Sequence, residues 1–176
     1  CFSLNSCRCD TDKTMKKASS WELPVLVNNG KEEIPDVTIK MPEYIEKTNS
    51  KLVLLTFNAT WGEPTLFELA IYQDLYIKYQ DQGLAVIGIF IDNSENLREN
   101  IIEEVLEMKL VDGSPANITY PVCWDLKQEV KTLYGFTSIP ITFLINKENK
   151  IVYELSGFSE NLMKELEQKI QEFLNQ

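Results

Sequence analysis

Leu52-Val53-Leu54-Leu55-Thr56-Phe57-Asn58-Ala59-Thr60-Trp61-Gly62-Glu63-Pro64-Thr65 decides the fold. With Lys51 just ahead of it, the first part of this stretch, Lys51–Asn58, reads as a buried strand. A polar turn with Gly62 and Pro64 follows, and Thr65–Tyr79 then repeats apolar residues at helical spacing: Leu66, Leu69, Ala70, Leu75, Tyr76 and Tyr79. Gly83 suits the end of that helix, and Leu84–Asp92 is a second fully apolar strand. Strand, helix and strand in that order call for a right-handed crossover in a parallel sheet.

Reading outward, the same alternation continues. Ser94 can cap a helix reaching about Met108, with Leu97, Ile101, Val105 and Met108 inward. A polar connection over 109–119 carries Gly113 and Pro115, and can be a partner-facing loop or a plain surface loop. Tyr120–Trp124 reads as a strand, and the stretch to Tyr134 as a short helix closed by Gly135. Ile141–Asn146 and Ile151–Leu155 form an antiparallel hairpin. Ser159 caps a last helix with Leu162, Leu166, Ile170 and Phe173 inward. Upstream, Trp21–Val27 and Val37–Met41 read as strands around Asn28-Asn29-Gly30, with Pro42–Lys47 a short helical turn or loop. The expected class is α/β: a central mixed sheet with helices on both faces and an N-terminal β-hairpin extension. Residues 1–20 are polar and without apolar period, and read as a tether to a domain over 21–176.

Composition narrows the chemistry. The net charge of −10 argues against a nucleic-acid surface, which needs clustered cations. The chain has no histidine, so no Ser-His or Cys-His nucleophile pair and no histidine-bearing zinc or copper site can form. Cys7-Arg8-Cys9 does not have zinc spacing, and no metal or cofactor is expected. The acidic run Glu103-Glu104 with Glu107 reads as a solvated face. The apolar runs are far shorter than a bilayer span. The chain begins on Cys1 ahead of a polar stretch, the arrangement of a mature lipoprotein. A lipid on Cys1, the only membrane contact expected, would place the domain in the cell envelope, on the extracytoplasmic side.

The motif around Trp61 resembles the active-site segment of the TlpA/ResA-type thioredoxin-like proteins, in the redoxin group with the AhpC/TSA proteins. That family writes a buried strand, then Ala-Thr-Trp-Cys-x-Pro-Cys opening a helix. Ala59, Thr60, Trp61 and Pro64 match, while Gly62 and Thr65 stand where the two cysteines belong. Glu68 matches the family's acid three positions past the second cysteine. Tyr134–Ile145 resembles the segment holding its cis-proline, which assigns Pro140 as that residue and Ile139 as its neighbour. The resemblance covers about residues 21–176 and implies a thioredoxin fold.

In relatives the first cysteine sits at a helix N-terminus, where free N–H groups and the helix dipole favour the thiolate. It attacks a disulfide, and the second cysteine resolves the mixed disulfide. Gly62 offers no nucleophile and Thr65 only an alcohol without a histidine to activate it. The resemblance then implies a binding groove without the dithiol: Trp61, Glu63, Pro64, Glu68, Ile139 and Pro140 around an extended protein or peptide partner. Trp61 and Pro140 can equally persist only to hold the fold. Glu68 could be a solvated helix charge or a stabilising partner for the helix N-terminus. Three further sulfurs remain. Cys7 and Cys9 could be a relocated redox pair or incidental tether cysteines. Cys123 reads first as a small buried hydrophobe, though its strand leads toward the motif. A thiol-disulfide oxidoreductase or peroxide-reducing protein using these cysteines, and a structural envelope component, are the competing functions.

Overall fold

The computed structural model describes residues 15–62 and 65–176, without the side chains of Thr65 and Leu66. Cys1, Cys7, Cys9, Glu63 and Pro64 therefore lie outside the described residues. In chain order the strands are β1 (Trp21–Asn28), β2 (Lys31–Glu32), β3 (Thr38–Met41), β4 (Leu52–Asn58), β5 (Leu84–Phe90), β6 (Val122–Trp124), β7 (Ile141–Asn146) and β8 (Ile151–Ser156). The helices are α1 (Glu43–Thr48), α2 (Thr65–Tyr79), α3 (Arg98–Leu106), α4 (Glu129–Tyr134) and α5 (Glu160–Leu174).

The sheet runs β2-β1-β6-β5-β4-β7-β8, with β3 paired to β1. β4 is parallel to β5 and β5 to β6, while β7 is antiparallel to β4 and β8 to β7. This is the mixed α/β sheet of a thioredoxin fold. The N-terminal hairpin is not a separate appendage. β1 turns at Asn29 and Gly30, both at positive φ, into β2, and also pairs antiparallel with β6 through Val25–Cys123 and Val27–Val122.

β4 is central, so both its faces are covered, and the alternation of its side chains divides the core. Leu52 and Leu54 pack with α2, α3 and α5 through Leu69, Tyr72, Ile101, Val105, Leu166 and Ile170. Val53, Leu55 and Phe57 pack on the other face with Ile45 of α1 and Val130 and Tyr134 of α4. Helices therefore lie on both faces. Ser159 Oγ accepts from the Leu162 N–H at 3.2 Å and caps α5.

Several boundaries differ from the sequence reading. Ser94 makes no side-chain cap; a single 3-10 turn over Glu95–Leu97 precedes α3, and Leu97 is only half-buried. The strand expected from Tyr120 begins at Val122, because Pro121 has no N–H to give a ladder. The short helix expected from Asp125 or Leu126 to Tyr134 begins only at Glu129. Asp125 is spent as an acceptor, its carboxylate taking the Lys131 N–H at 2.9 Å. In α5, Met163 and Leu174 are buried, whereas Leu162 and Phe173 only flank the core. Part of the stretch read as tether is bonded to the domain. Ala18 N–H donates to Asn149 O and Ile151 N–H to Lys16 O, both at 2.8 Å, joining residues 16–18 to the β7–β8 turn.

Candidate functional site: the turn after β4

The site forms where β4 ends and α2 begins, beside the segment leading into β7. Its frame is built by the carbonyls and carboxylate that leave β5. Asp92 is buried, and its carboxylate accepts the Thr60 N–H at 3.1 and 3.2 Å and the Thr60 hydroxyl at 2.5 Å. The Trp124 indole N–H donates to Asp92 O and the Gln128 amide to Ile91 O, each at 2.8 Å. Gly62 N–H closes the turn onto Ala59 O at 3.1 Å. Charge-assisted bonds of this kind are roughly twice as strong as neutral ones, so Thr60 is held firmly.

Trp61, next in sequence, is 68% exposed, an unusual state for the largest apolar side chain. It lines a cavity of about 280 Å³ with Ile91, Phe136 and Ile139, edged by Lys131, Thr137 and Ser138. The floor is rigid. Phe57, Tyr134, Phe136 and Phe143 form an aromatic cluster with Phe57–Phe136 centroids 4.6 Å apart and Tyr134–Phe143 5.0 Å apart. The Ile139–Pro140 peptide bond is cis, as is Met41–Pro42. Pro140 is buried and its carbonyl is occupied by the Gly157 N–H at 2.9 Å. Ile139 is half-buried and makes no backbone hydrogen bond among the described residues. Of the backbone polar groups expected to line a groove here, those of Ile139 are therefore open and the carbonyl of Pro140 is not.

Glu68 departs from one of the two roles weighed for it. It stands in the first turn of α2, as the helix-terminus role requires, but is fully buried rather than solvated. The Tyr72 hydroxyl donates to its Oε1 at 2.5 Å and lies 2.7 Å from Thr142 Oγ1. Thr142 donates to Thr56 Oγ1 at 3.4 Å across the β4–β7 pair, and Asn58 Nδ2 to the same oxygen at 3.3 Å. This polar chain runs beneath the motif. Glu68 Oε2 and Asn58 Oδ1 are buried without partners among the described residues. Burial raises the Glu68 carboxyl to about 7, opposed by the Tyr72 bond, which favours the charged form. Glu104, half-buried on α3, is also raised to about 7, first by burial and then by the Asp92 carboxylate. Glu104 lines a second opening with Thr60, Asn100 and Glu103, so the acidic run is not solvated throughout.

Cys123 lies on β6, fully buried and unbonded to sulfur. Burial alone pushes its thiol far above the ordinary range, which disfavours the thiolate that any exchange chemistry needs. Among the described residues no cluster of three Cys, Asp or Glu could hold a metal ion, and no helix is long and apolar enough to cross a membrane. The sequence reading missed Asp92, Tyr72, Thr142 and Phe136. Tyr72 had a usable signal, being four residues past Glu68 on one helix face; the others are joined only by the fold.

Comparison with known proteins agrees with this architecture. The AhpC/TSA family model matches residues 14–154. Thiol-disulfide oxidoreductase ResA of Oceanobacillus iheyensis is 29% identical over 126 residues, 72% of this chain and 58% of that protein. ResA of Bacillus subtilis is 26% identical over 138 residues, 73% of this chain and 71% of that protein. The chain thus spans under two thirds of the first of these relatives. A Chlorobium tepidum structure assigned as a thiol:disulfide interchange protein DsbE superposes with a TM-score of 0.71 at 21% identity, covering 91% of this chain and 96% of that one. With a buried β4, a Trp61 turn and the Pro140 segment set against it, the chain belongs to the AhpC/TSA family, as a thioredoxin-like domain of the TlpA/ResA type.

Proposed function

We propose that this domain binds an extended segment of a partner protein across Trp61 and Ile139 and performs no dithiol chemistry. The observation that carries the reading is Trp61, more than two thirds exposed over an apolar cavity, beside a Gly62 that has no side chain to act as nucleophile. The open N–H and C=O of Ile139 can pair an extended backbone, while Ile91 and Phe136 offer apolar surface to its side chains. Lys131 places a cation on the rim and suits an acidic residue of the partner. Glu63 and Pro64 belong to the same proposed groove by their place in the motif. Glu68 supports it from beneath, without touching a ligand.

The likeness to ResA proteins suggests that the natural partner is a protein handled at the cell envelope, and an extracytoplasmic location is part of this proposal. Fractionation with a protease-accessibility assay tests that part. Disulfide exchange tests the central claim. The purified chain with dithiothreitol and insulin should give no reduction above the uncatalysed rate. Turnover lost in a Cys7→Ser, Cys9→Ser double variant would defeat the binding-only reading and favour a redox enzyme. Peptide-array binding lost in Trp61→Ala, with the fold intact by circular dichroism, would support it.

A further inference from the structure

The exposed positions of α2 mix apolar Phe67 and Ile77 with charged Asp74 and Lys78, and at its N-terminal half exposed Phe67 adjoins Ala70 and Ile71, which are half-buried against the core. Phe67, Ala70 and Ile71 follow one another at i, i+3 and i+4, and Phe67 is 55% exposed. Opposite them stand Leu110 and Val111 from the connection between α3 and β6, and Val111 is 90% exposed. Together these residues wall an apolar groove of about 480 Å³, separate from the Trp61 cavity in every lining residue.

The groove's second wall is structured. Leu110 N–H donates to Ser114 O and Gly113 N–H to Leu110 O, at 2.8 and 2.9 Å. The Asp112 carboxylate takes both the N–H and the hydroxyl of Ser114, and Lys109 bridges Pro115. Gly113, at φ +83°, permits the turn. A β-branched residue is thus displayed on a bonded loop tip against an exposed phenylalanine. Exposed apolar side chains facing one another across a groove make it a candidate interaction surface.

The charges around it choose the occupant. Asp74 and Asp112 sit on the rim against Lys109, and Glu107 is exposed at the base of the same connection. Asp74, Asp112 and Lys109 make no ion pair among the described residues. The whole chain carries −10. A second copy, or an anionic lipid surface, would meet like charge there; a cationic segment would be attracted. We propose that the groove between α2 and the Val111 loop is a second docking site, taking an amphipathic helical segment of a partner protein whose apolar face is flanked by lysine or arginine. It is independent of the Trp61 site. It commits the domain to two surfaces, one for extended chain and one for a helix.

The test uses the full chain and two labelled amphipathic peptides about four turns long, one of leucine and lysine and one of leucine and glutamate. Fluorescence anisotropy should show the leucine–lysine peptide binding, weakening as salt rises, and the leucine–glutamate peptide not binding. The double variant Phe67→Ser, Val111→Ser should weaken the first by about tenfold or more. Ile77→Ser, which removes an exposed apolar residue further along α2, and Trp61→Ala should leave it unchanged. Unaltered binding in the double variant, equal loss in Ile77→Ser, or equal affinity for the acidic peptide would each overturn the site. A concentration-dependent dimer abolished by Val111→Ser would overturn the cationic-partner assignment in favour of self-association. Loss in Trp61→Ala would overturn the independence of the two surfaces. Failure of any of these arms leaves the Trp61 proposal standing, since its own test is read by extended peptides.

Discussion

Glu68 is the residue at which the helix and the chemistry of the motif part company. A carboxyl buried behind the turn is neutral over much of the ordinary pH range. Its folded-state value near 7 lies above the 4.5 of an exposed glutamate. Below about 4.5 both states hold the proton and nothing is lost. Between 4.5 and 7 the unfolded chain ionises while the folded one resists, so stability falls as pH rises. Glu68→Gln removes that dependence and keeps a side chain that can bond Tyr72. The variant should therefore gain on the wild type as pH rises from 4.5 to 7, reaching on the order of 2–3 kcal/mol by pH 8. Urea unfolding of both chains at pH 5 and pH 8 measures this; a constant difference would contradict it. Asp92 poses the converse case. Asp92→Asn keeps the shape but removes the charge that holds Thr60 and raises Glu104. It should cost about 1–3 kcal/mol and lower the Glu104 value, leaving the larger part due to burial, as read by NMR titration. Neither residue was legible as it stands. Glu68 sits between exposed Phe67 and buried Leu69, and its partners Thr142 and Thr56 lie far along the chain. Gly62 was legible at once, because a missing side chain requires no tertiary context.

At the scale of elements, what could be read depended on how one-sided each element is. β4 and β5 are buried at every position, and their apolar runs announce it. α5 has one apolar face, a capping Ser159 and a polar remainder, so its start was recognisable from sequence. Ser159→Ala should cost about 1 kcal/mol and lower the melting temperature by a few degrees, measurable by calorimetry, because the Leu162 N–H loses its acceptor. α2 is the opposite case. Its inner face holds Glu68, Tyr72 and Gln73 while Phe67 and Ile77 are exposed, so apolarity is nearly uniform around it. The helix itself is plain from its length, but its orientation is not. α3 and α4 begin late for another reason. Ser94 reads as a cap in sequence but makes no such bond, and Asp125 bonds six residues on. Local chemistry names candidates for a helix start, and tertiary geometry selects among them.

Taken whole, the molecule has the mixed sheet and the crossover of its family, with Gly62 and Thr65 at the turn between β4 and α2. This arrangement predicts that the fold around Gly62 and Thr65 is competent for chemistry that the residues themselves do not supply. A Gly62→Cys, Thr65→Cys double variant places a thiol at the turn and another at the first residue of α2. Backbone N–H groups at the start of α2 favour a thiolate at position 62, just ahead of it. That thiolate can attack a substrate disulfide; the second thiol then displaces the reduced product and forms the intramolecular disulfide, which dithiothreitol reduces again. The double variant should reduce insulin in the presence of dithiothreitol at a rate well above both the wild type and either single variant, since one thiol without the other leaves the mixed disulfide unresolved. Trp61→Ala in that background should lower the rate if substrate crosses the proposed groove. A folded double variant with no activity would mean that the surroundings of the turn have diverged along with the cysteines. A wild type as active as the double variant would mean that sulfur elsewhere in the chain is already at work. The comparison separates a binding surface that has lost its nucleophile from a fold retained for other reasons, because only the former needs two atoms of sulfur and nothing more to turn over.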